Sequence, residues 1–318
     1  MALNPDDVRK KKEIIYTKNG VQTPMDMPEL QAQGLHAFPK WMCSIGQNVL
    51  FINGDGNVSY GTCHPGGAGV VGDIYTRTNW VKPPTWFSCH RDWCHCGAEI
   101  KQTKISPDAS TVVRPELVQN HVIWDICRYC NFDCSYCPST VHNHHEVHKP
   151  LAILKRTVDL AEAYFDHQPG TQFALSGGEP TIDPSIVPLC QYIQSKGHQV
   201  HIQSNGSRGK KLWEALAPHV DSITVSIHFE FLTEARLLRN IGYILDNLSE
   251  GAVLEVKMIS QAENMEYVRE LRDKLLGDPK FAEGARLAIM PVSDYNLEEK
   301  TRKPRTYGNS QLVEFGYH

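Results

Sequence analysis

Nothing in the 318 residues is suited to a membrane. No apolar run approaches the roughly 18 residues of a spanning helix, and the amino terminus MALNPDDVRKKKEII lacks the apolar centre of a signal peptide. Neither sign of charge dominates: the formal net charge is −4, which gives no reason to expect general nucleic-acid binding. Arg9 to Lys12 is a short basic run and reads as a solvated helix face. These absences predict a cytoplasmic chain whose thiols stay reduced. In that setting ten cysteines and fifteen histidines are an excess, and clustered cysteines point to metal or catalysis ahead of disulfides.

The cysteines fall into two groups. Five stand at 43, 63, 89, 94 and 96, four at 127, 130, 134 and 137, and Cys190 lies alone in the apolar run VPLCQYI, where it reads as core. Length allows about two domains, each able to bury a core.

From about residue 118 the chain alternates strand and helix signals. HVIWDI, QFALSGG, QVHIQSNG, SITVSIH, VLEVKMIS and RLAIMPV are the strands, and apolar stripes at helical spacing separate them, such as Leu151, Leu154, Val158, Ala161 and Phe165 after Pro150. Six such units imply right-handed crossovers and a parallel sheet, too few to close an eight-fold barrel. The expectation is a partial (β/α)6 TIM-like barrel over 116–295, followed by a tail at 296–318. In barrels of this type the site lies at the carboxyl ends of the strands. The cysteine loop, the SGGEP turn, the QSNG turn and SIH all fall there.

The first 115 residues differ in kind. They hold four of the six tryptophans, many glycines and little helical periodicity. VLFINGDGNVSYGTC reads as a hairpin around Gly54-Asp55-Gly56, and DIYTRTNW as another short strand. A small β-rich module of this kind needs a metal staple, and its five cysteines can supply one.

Short sulfur-rich spacings suit zinc or an iron–sulfur cluster. Zinc sites usually pair distant C-x2-C knuckles, whereas Cys130, Cys134 and Cys137 crowd C-x3-C-x2-C into one loop. Three thiolates can hold three irons of a cubane and leave the fourth open to a ligand. With Tyr136 as the aromatic before the last cysteine, and with Gly177-Gly178-Glu179-Pro180 ending the next strand, the chain resembles the radical S-adenosylmethionine (radical SAM) superfamily. QSNG and VSIH at the following strand ends extend the resemblance to roughly 118–295.

The resemblance implies a four-iron, four-sulfur cluster on Cys130, Cys134 and Cys137, its open iron chelating S-adenosylmethionine. Tyr136 would sit against the adenine. Gly177, Gly178 and Glu179 would receive the methionyl amino group, and Asn205 and Ser226 would contact the ribose and carboxylate. Reductive cleavage would give a 5′-deoxyadenosyl radical that takes hydrogen from a carbon of a small molecule or peptide. An electron donor such as flavodoxin or ferredoxin would be needed. Cys127 reads as a buried strand-end thiol; the sharper alternative is a hydrogen-atom donor to a substrate radical.

Cys43 to Cys63 resembles the opening of the SPASM or twitch auxiliary-cluster module, with an apolar strand, Asp55-Gly56 and a closing cysteine. It departs from that pattern in preceding the barrel and in the six residues between Gly56 and Cys63. Cys43, Cys63, Cys89 and either Cys94 or Cys96 are the expected ligands of a second iron–sulfur cluster, one cysteine being spare; the alternative is structural zinc. Gly67, Gly69 and Gly72 satisfy G-x-G-x-x-G but precede a strand instead of opening a helix, which argues against a dinucleotide site. The tract His142 to His148 reads as a solvated loop, and His228 and Glu230 are candidates to face substrate from position alone. No cobalamin-binding region and no peptide-leader-binding domain is evident. The rival reading is a non-catalytic metal or electron-transfer protein, which leaves GGEP and the strand-end pattern without a purpose.

Overall fold

The computed structural model describes residues 13–63, 69–94, 97–137, 148–231, 233–291, 293–296 and 301–304. Contacts divide the chain into two compact units. The first comprises residues up to Trp124 together with Ala152–Phe173; the second comprises Asp125–Leu151 and everything from Ala174 onward.

In the first unit, β1 (Ile14–Lys18) and β2 (Val21–Met25) form a hairpin, followed by α1 (Met27–Ala32), β3 (Met42–Cys43), β4 (Val49–Ile52), β5 (Asn57–Ser59) and β6 (Val70–Asp73). Next come β7 (Phe87–Ser88), α2 (Gly97–Ile100), β8 (Lys104–Ile105), β9 (Thr111–Pro115) and the start of β10 (His121–Cys127). One sheet runs β2-β1-β9-β8-β3-β7, and β10 continues through β4, β5 and β6. Ile14, Leu30, Phe38, Ile100 and Val113 fill the core of the first sheet.

The β4–β5 hairpin forms where the sequence places it. Asn53 Oδ1 accepts from the N–H groups of Asp55 (3.0 Å) and Asn57 (2.9 Å), and Gly56 takes φ 87°, a left-handed conformation natural to glycine. DIYTRTNW is different. The strand ends at Asp73, whose Oδ1 accepts from the N–H groups of Tyr75 (2.7 Å) and Thr76 (2.6 Å) and bends the chain into a turn. A local side-chain acceptor has here overridden the strand propensity of the β-branched and aromatic residues. The weak periodicity of this region also concealed α1, which starts on a reciprocal capping box between Asp26 and Glu29.

The second unit carries the ends of β10 and β11 (Gln172–Gly177), with α3 (Leu151–Tyr164) between them in the chain. It continues through α4 (Ile186–Ser195), β12 (Gln199–Ser204), α5 (Lys210–Leu216), β13 (Ser222–His228), α6 (Glu234–Asn247) and β14 (Val253–Ser260). It closes with α7 (Met265–Leu276), α8 (Pro279–Gly284), β15 (Ala285–Pro291) and a hairpin of β16 (Ser293–Asn296) and β17 (Thr301–Pro304). Strand order is β15-β14-β13-β12-β11-β10, and the pairs β12/β13, β13/β14 and β14/β15 are parallel. This is the mixed α/β, open (β/α)6 arrangement of a partial TIM-like barrel.

Alternation along the strands shows which face is covered. In β14, Leu254, Val256 and Met258 are fully buried, while Glu255 and Lys257 between them are partly exposed. Helix faces supply the cover: Leu237, Ile241 and Ile244 on α6, and Val268, Leu271 and Leu275 on α7. Each such side chain contributes about 1.5–3 kcal/mol through burial.

Candidate active site

The loop from Cys127 to Cys137 leaves the end of β10 and is pinned from several sides. Beneath it runs the Gly177-Gly178 turn. A Cβ on Gly178 would stand 2.5 Å from the Arg128 carbonyl oxygen and 2.6 Å from the Tyr129 carbonyl carbon, and one on Gly177 would strike the Cys127 carbonyl oxygen. Gly177 also takes φ 126°. Only glycine allows this approach, and the backbone exploits it: Gly178 N–H donates to Cys127 O (2.9 Å) and Glu179 N–H to Tyr129 O (2.8 Å).

Glu179 is 1 % exposed. The resemblance directs it toward the methionyl amino group, yet its carboxylate turns inward as a latch between strand ends. Oε1 accepts from Thr181 N–H (3.0 Å), the Thr181 hydroxyl and Ser204 Oγ (2.9 Å), and Oε2 accepts from Asn205 N–H (2.6 Å). Burial raises its pKa, and these donors oppose the rise. Asn205 in turn donates from Nδ2 to Asn131 Oδ1 (2.9 Å), and its side chain also hydrogen-bonds the Cys130 thiol. Asn131, inside the cysteine loop, donates to Ser207 Oγ (3.0 Å).

The far end of the loop is held by β13. Tyr136 stacks on His228 at 5.9 Å, with its hydroxyl 2.9 Å from Nδ1, and Glu230 accepts from both the backbone N–H (2.7 Å) and hydroxyl of Ser135. His228 is therefore a loop contact, and burial lowers its pKa to about 4, so it is neutral at pH 7. Phe132 stacks on Phe231 at 4.9 Å. A shallow pocket follows, lined among others by Phe132, Asn205, His228, Phe231 and Arg236. Ser226 is buried in β13 and is not among the pocket's lining residues.

The thiols themselves are electrostatically linked. Burial raises Cys134 to about 12 and Cys137 to about 11, with neighbouring thiols adding to both, and Cys130 is raised chiefly by burial. Cys127 has no exposed surface; its thiol lies 3.7 Å from Tyr129 O and 3.8 Å from Glu179 O, weak contacts that pack it under the loop. Cys190 is fully buried in α4. Of the histidine tract, His142, His144 and His145 lie outside the described residues; His148 pairs with Asp183 at 3.3 Å.

Residues 124–245 match the family model of the radical SAM superfamily. Over that stretch the chain matches a radical SAM domain. No curated protein matches it. Among solved structures it is similar to SuiB of Streptococcus suis bound to S-adenosylmethionine, with 18% identity over 62% of this chain and 45% of that one, at a TM-score of 0.47. It is also similar to archaeal TYW1, with 21% identity over 39% of this chain and 50% of that one, at a TM-score of 0.27. The chain thus spans less than half the length of SuiB.

The first unit carries a second set of thiols. Cys43 ends β3 and is the cross-strand partner of both Phe87 and Lys104. Cys89 extends the same ladder through its N–H to Trp41 O (2.7 Å), and Cys94 N–H donates to His36 O (2.9 Å). Cys63 feels Glu99, Cys43, Cys94 and Cys89 in that order, after burial, and its pKa is raised; Cys94 is raised to about 12, also by burial first. Cys96 lies outside the described residues. Among the described residues, no three His, Cys, Asp or Glu side chains converge on a single-ion site.

Sequence reading missed Asn131 and Phe132, although both sit inside the motif loop it singled out. It also missed Asp125, whose carboxyl accepts from Ser176 Oγ (2.8 Å) and is raised by burial. In the first unit it missed Glu99 and Lys104. An acid and a base in GAEIKQTKI carry no signal that they are buried.

Proposed function

We propose that this protein is a radical SAM enzyme in which Cys130, Cys134 and Cys137 hold a four-iron, four-sulfur cluster. The observation that carries the reading is the loop's attachment: three thiols on one loop, whose first residues are clamped against a glycine pair that no larger residue could replace. The donor set fits such a cluster. Soft thiolates suit iron–sulfur chemistry, and thiols that burial keeps protonated need the positive charge of metal to ionise. Bound there with S-adenosylmethionine, the cluster would supply the electron that yields a 5′-deoxyadenosyl radical.

The chain's own residues position the reactants. The pocket beside Asn205 offers aromatic faces from Phe132 and Phe231 and polar edges from Asn205 and Ser207, suited to an adenosyl group. Tyr136 is held by His228, which lines this pocket. With Glu179 committed to Thr181, Ser204 and Asn205, backbone carbonyls of the GGEP turn are the acceptors left for the methionyl amino group. Glu179 positions Asn205 and through it the loop. The substrate is a small molecule or a peptide side chain, and the electron donor a flavodoxin or ferredoxin in the cytoplasm. No helix of the described residues is long and apolar enough to cross a membrane.

For the first unit we read Cys43, Cys63, Cys89 and Cys94 as ligands of an auxiliary iron–sulfur cluster, because Cys63 packs against the apolar group around Cys43, and Cys89 and Cys94 both pack against the core of Ile14, Leu30 and Phe38. Anaerobic reconstitution tests both sites. Iron should reach about eight per chain, and about four when the barrel thiols are replaced by alanine. Reductant plus S-adenosylmethionine should release 5′-deoxyadenosine from the parent and none from the variant. No deoxyadenosine from a fully loaded, reduced protein would refute the enzyme reading.

A further inference from the structure

Two buried charges flank the thiols of the first unit, and they do not pair with each other. Lys104 is 1 % exposed. Its Nζ donates to the carbonyl oxygens of Glu99 (2.6 Å), Ile100 (3.1 Å) and Gln102 (2.9 Å), the full donor complement of an ammonium group, and it lies 5.1 Å from the centre of the Phe38 ring. None of these partners carries negative charge.

Glu99, 2 % exposed, is the nearby acid, but its carboxylate faces elsewhere. Oε1 accepts from Thr62 N–H (2.7 Å) and Thr62 Oγ1 (2.8 Å), and Oε2 is buried with no hydrogen-bond partner among the described residues. A buried ammonium matched only by carbonyl dipoles is costly unless an anionic group completes it.

The geometry says which group. Lys104 sits directly across the ladder from Cys43, so their side chains leave the same face of the sheet about 5 Å apart. Glu99, through its hydrogen bonds to Thr62, stands beside Cys63. Lys104 therefore stands on the Cys43 side of the thiols and Glu99 on the Cys63 side.

Resting on the reading that these cysteines hold an iron–sulfur cluster, we propose that Lys104 and Glu99 are positioning residues that set its reduction potential. Reduction adds one negative charge to the centre. Lys104 therefore favours the reduced form and Glu99 the oxidised form, through unscreened charge at short range. Neither is a ligand.

The 318-residue chain carrying Cys130→Ala, Cys134→Ala and Cys137→Ala, reconstituted anaerobically with ferrous iron and sulfide, isolates this centre. Iron and sulfide per chain are measured first, and the midpoint potential by an EPR-monitored redox titration second. If this parent retains no iron, or holds zinc instead, the cluster reading fails and the inference falls with it. If it loads, Lys104→Gln should move the midpoint to more negative values and Glu99→Gln to more positive ones, while Lys104→Arg stays with the parent. Unmoved midpoints, or shifts of the same sign in both neutral variants, overturn the inference and leave the cluster reading intact. Iron lost from Lys104→Gln but kept by Lys104→Arg supports the need for charge; iron lost from both makes Lys104 a packing residue and overturns its role. Iron lost from Glu99→Gln makes Glu99 a ligand and overturns its assignment as a remote charge.

Discussion

Replacing Gly178 by alanine places a methyl group against the cysteine loop, and the consequence can be worked from contact distances. The new Cβ would lie 2.6 Å from the Tyr129 carbonyl carbon. Unstrained carbon atoms approach to about 3.5 Å, so the loop or the turn must shift by about 1 Å. The atoms in the way are backbone, between Cys127 and Cys130, and cannot rotate aside as a side chain could. Overpacking of this kind costs about 1–3 kcal/mol, which lowers Tm by several degrees at about 2–4 °C per kcal/mol for a unit of this size. The effect on function should be larger, since a misplacement of about 1 Å at a reacting site can cost roughly 100-fold in rate.

The assay is deoxyadenosine formation per loaded cluster under reducing conditions, paired with thermal unfolding. Gly242→Ala is the control: it lies inside α6 with nothing within 4 Å of the added Cβ, and it should stabilise by up to about 1 kcal/mol with activity unchanged. A Gly178→Ala variant that loads iron and cleaves S-adenosylmethionine at the parent rate would refute the argument that close backbone approach sets the loop.

Cys127→Ala should lower stability by about 1–2 kcal/mol through the small cavity it leaves, without altering the yield or identity of products, because the thiol has no exposed surface. Thermal unfolding and product chromatography check this, and a variant that consumes substrate but loses clean product would restore the hydrogen-donor role. Burial lowers His121, His201 and His228 to about 4. Between pH 6.5 and 4 the unfolded chain therefore binds more protons than the native one, and stability should fall as pH drops through that window. Each histidine contributes a slope of up to about 1.4 kcal/mol per pH unit. Denaturant midpoints measured across this range, with His228→Gln as the comparison, test the sign; stability that stays flat there would refute it.

Sequence alone determined the periodic and the local. Six strand–helix repeats are legible because a strand covered on one face and a helix covered on one side write their burial into residue spacing. The cysteine loop, GGEP and the Asn53–Gly56 turn are legible because each acts within a few residues, and the hairpin was read on those grounds. DIYTRTNW was misread because one carboxylate, Asp73, outcompeted strand propensity, and that contest is settled by geometry.

Tertiary structure decided what depends on residues far apart in the chain. Glu179 became a latch when the ends of β11 and β12 brought Ser204 and Asn205 to its carboxylate, and His228 became a support for Tyr136, 92 residues away in sequence. Lys104 is the sharpest case. In the sequence it is one lysine among many solvated ones, and only the pairing of β8 with β3 buries it opposite Cys43. Spacing can report that a residue has a face, but the charge or hydrogen-bond partner waiting on that face comes from another part of the chain. Only folding brings the two together.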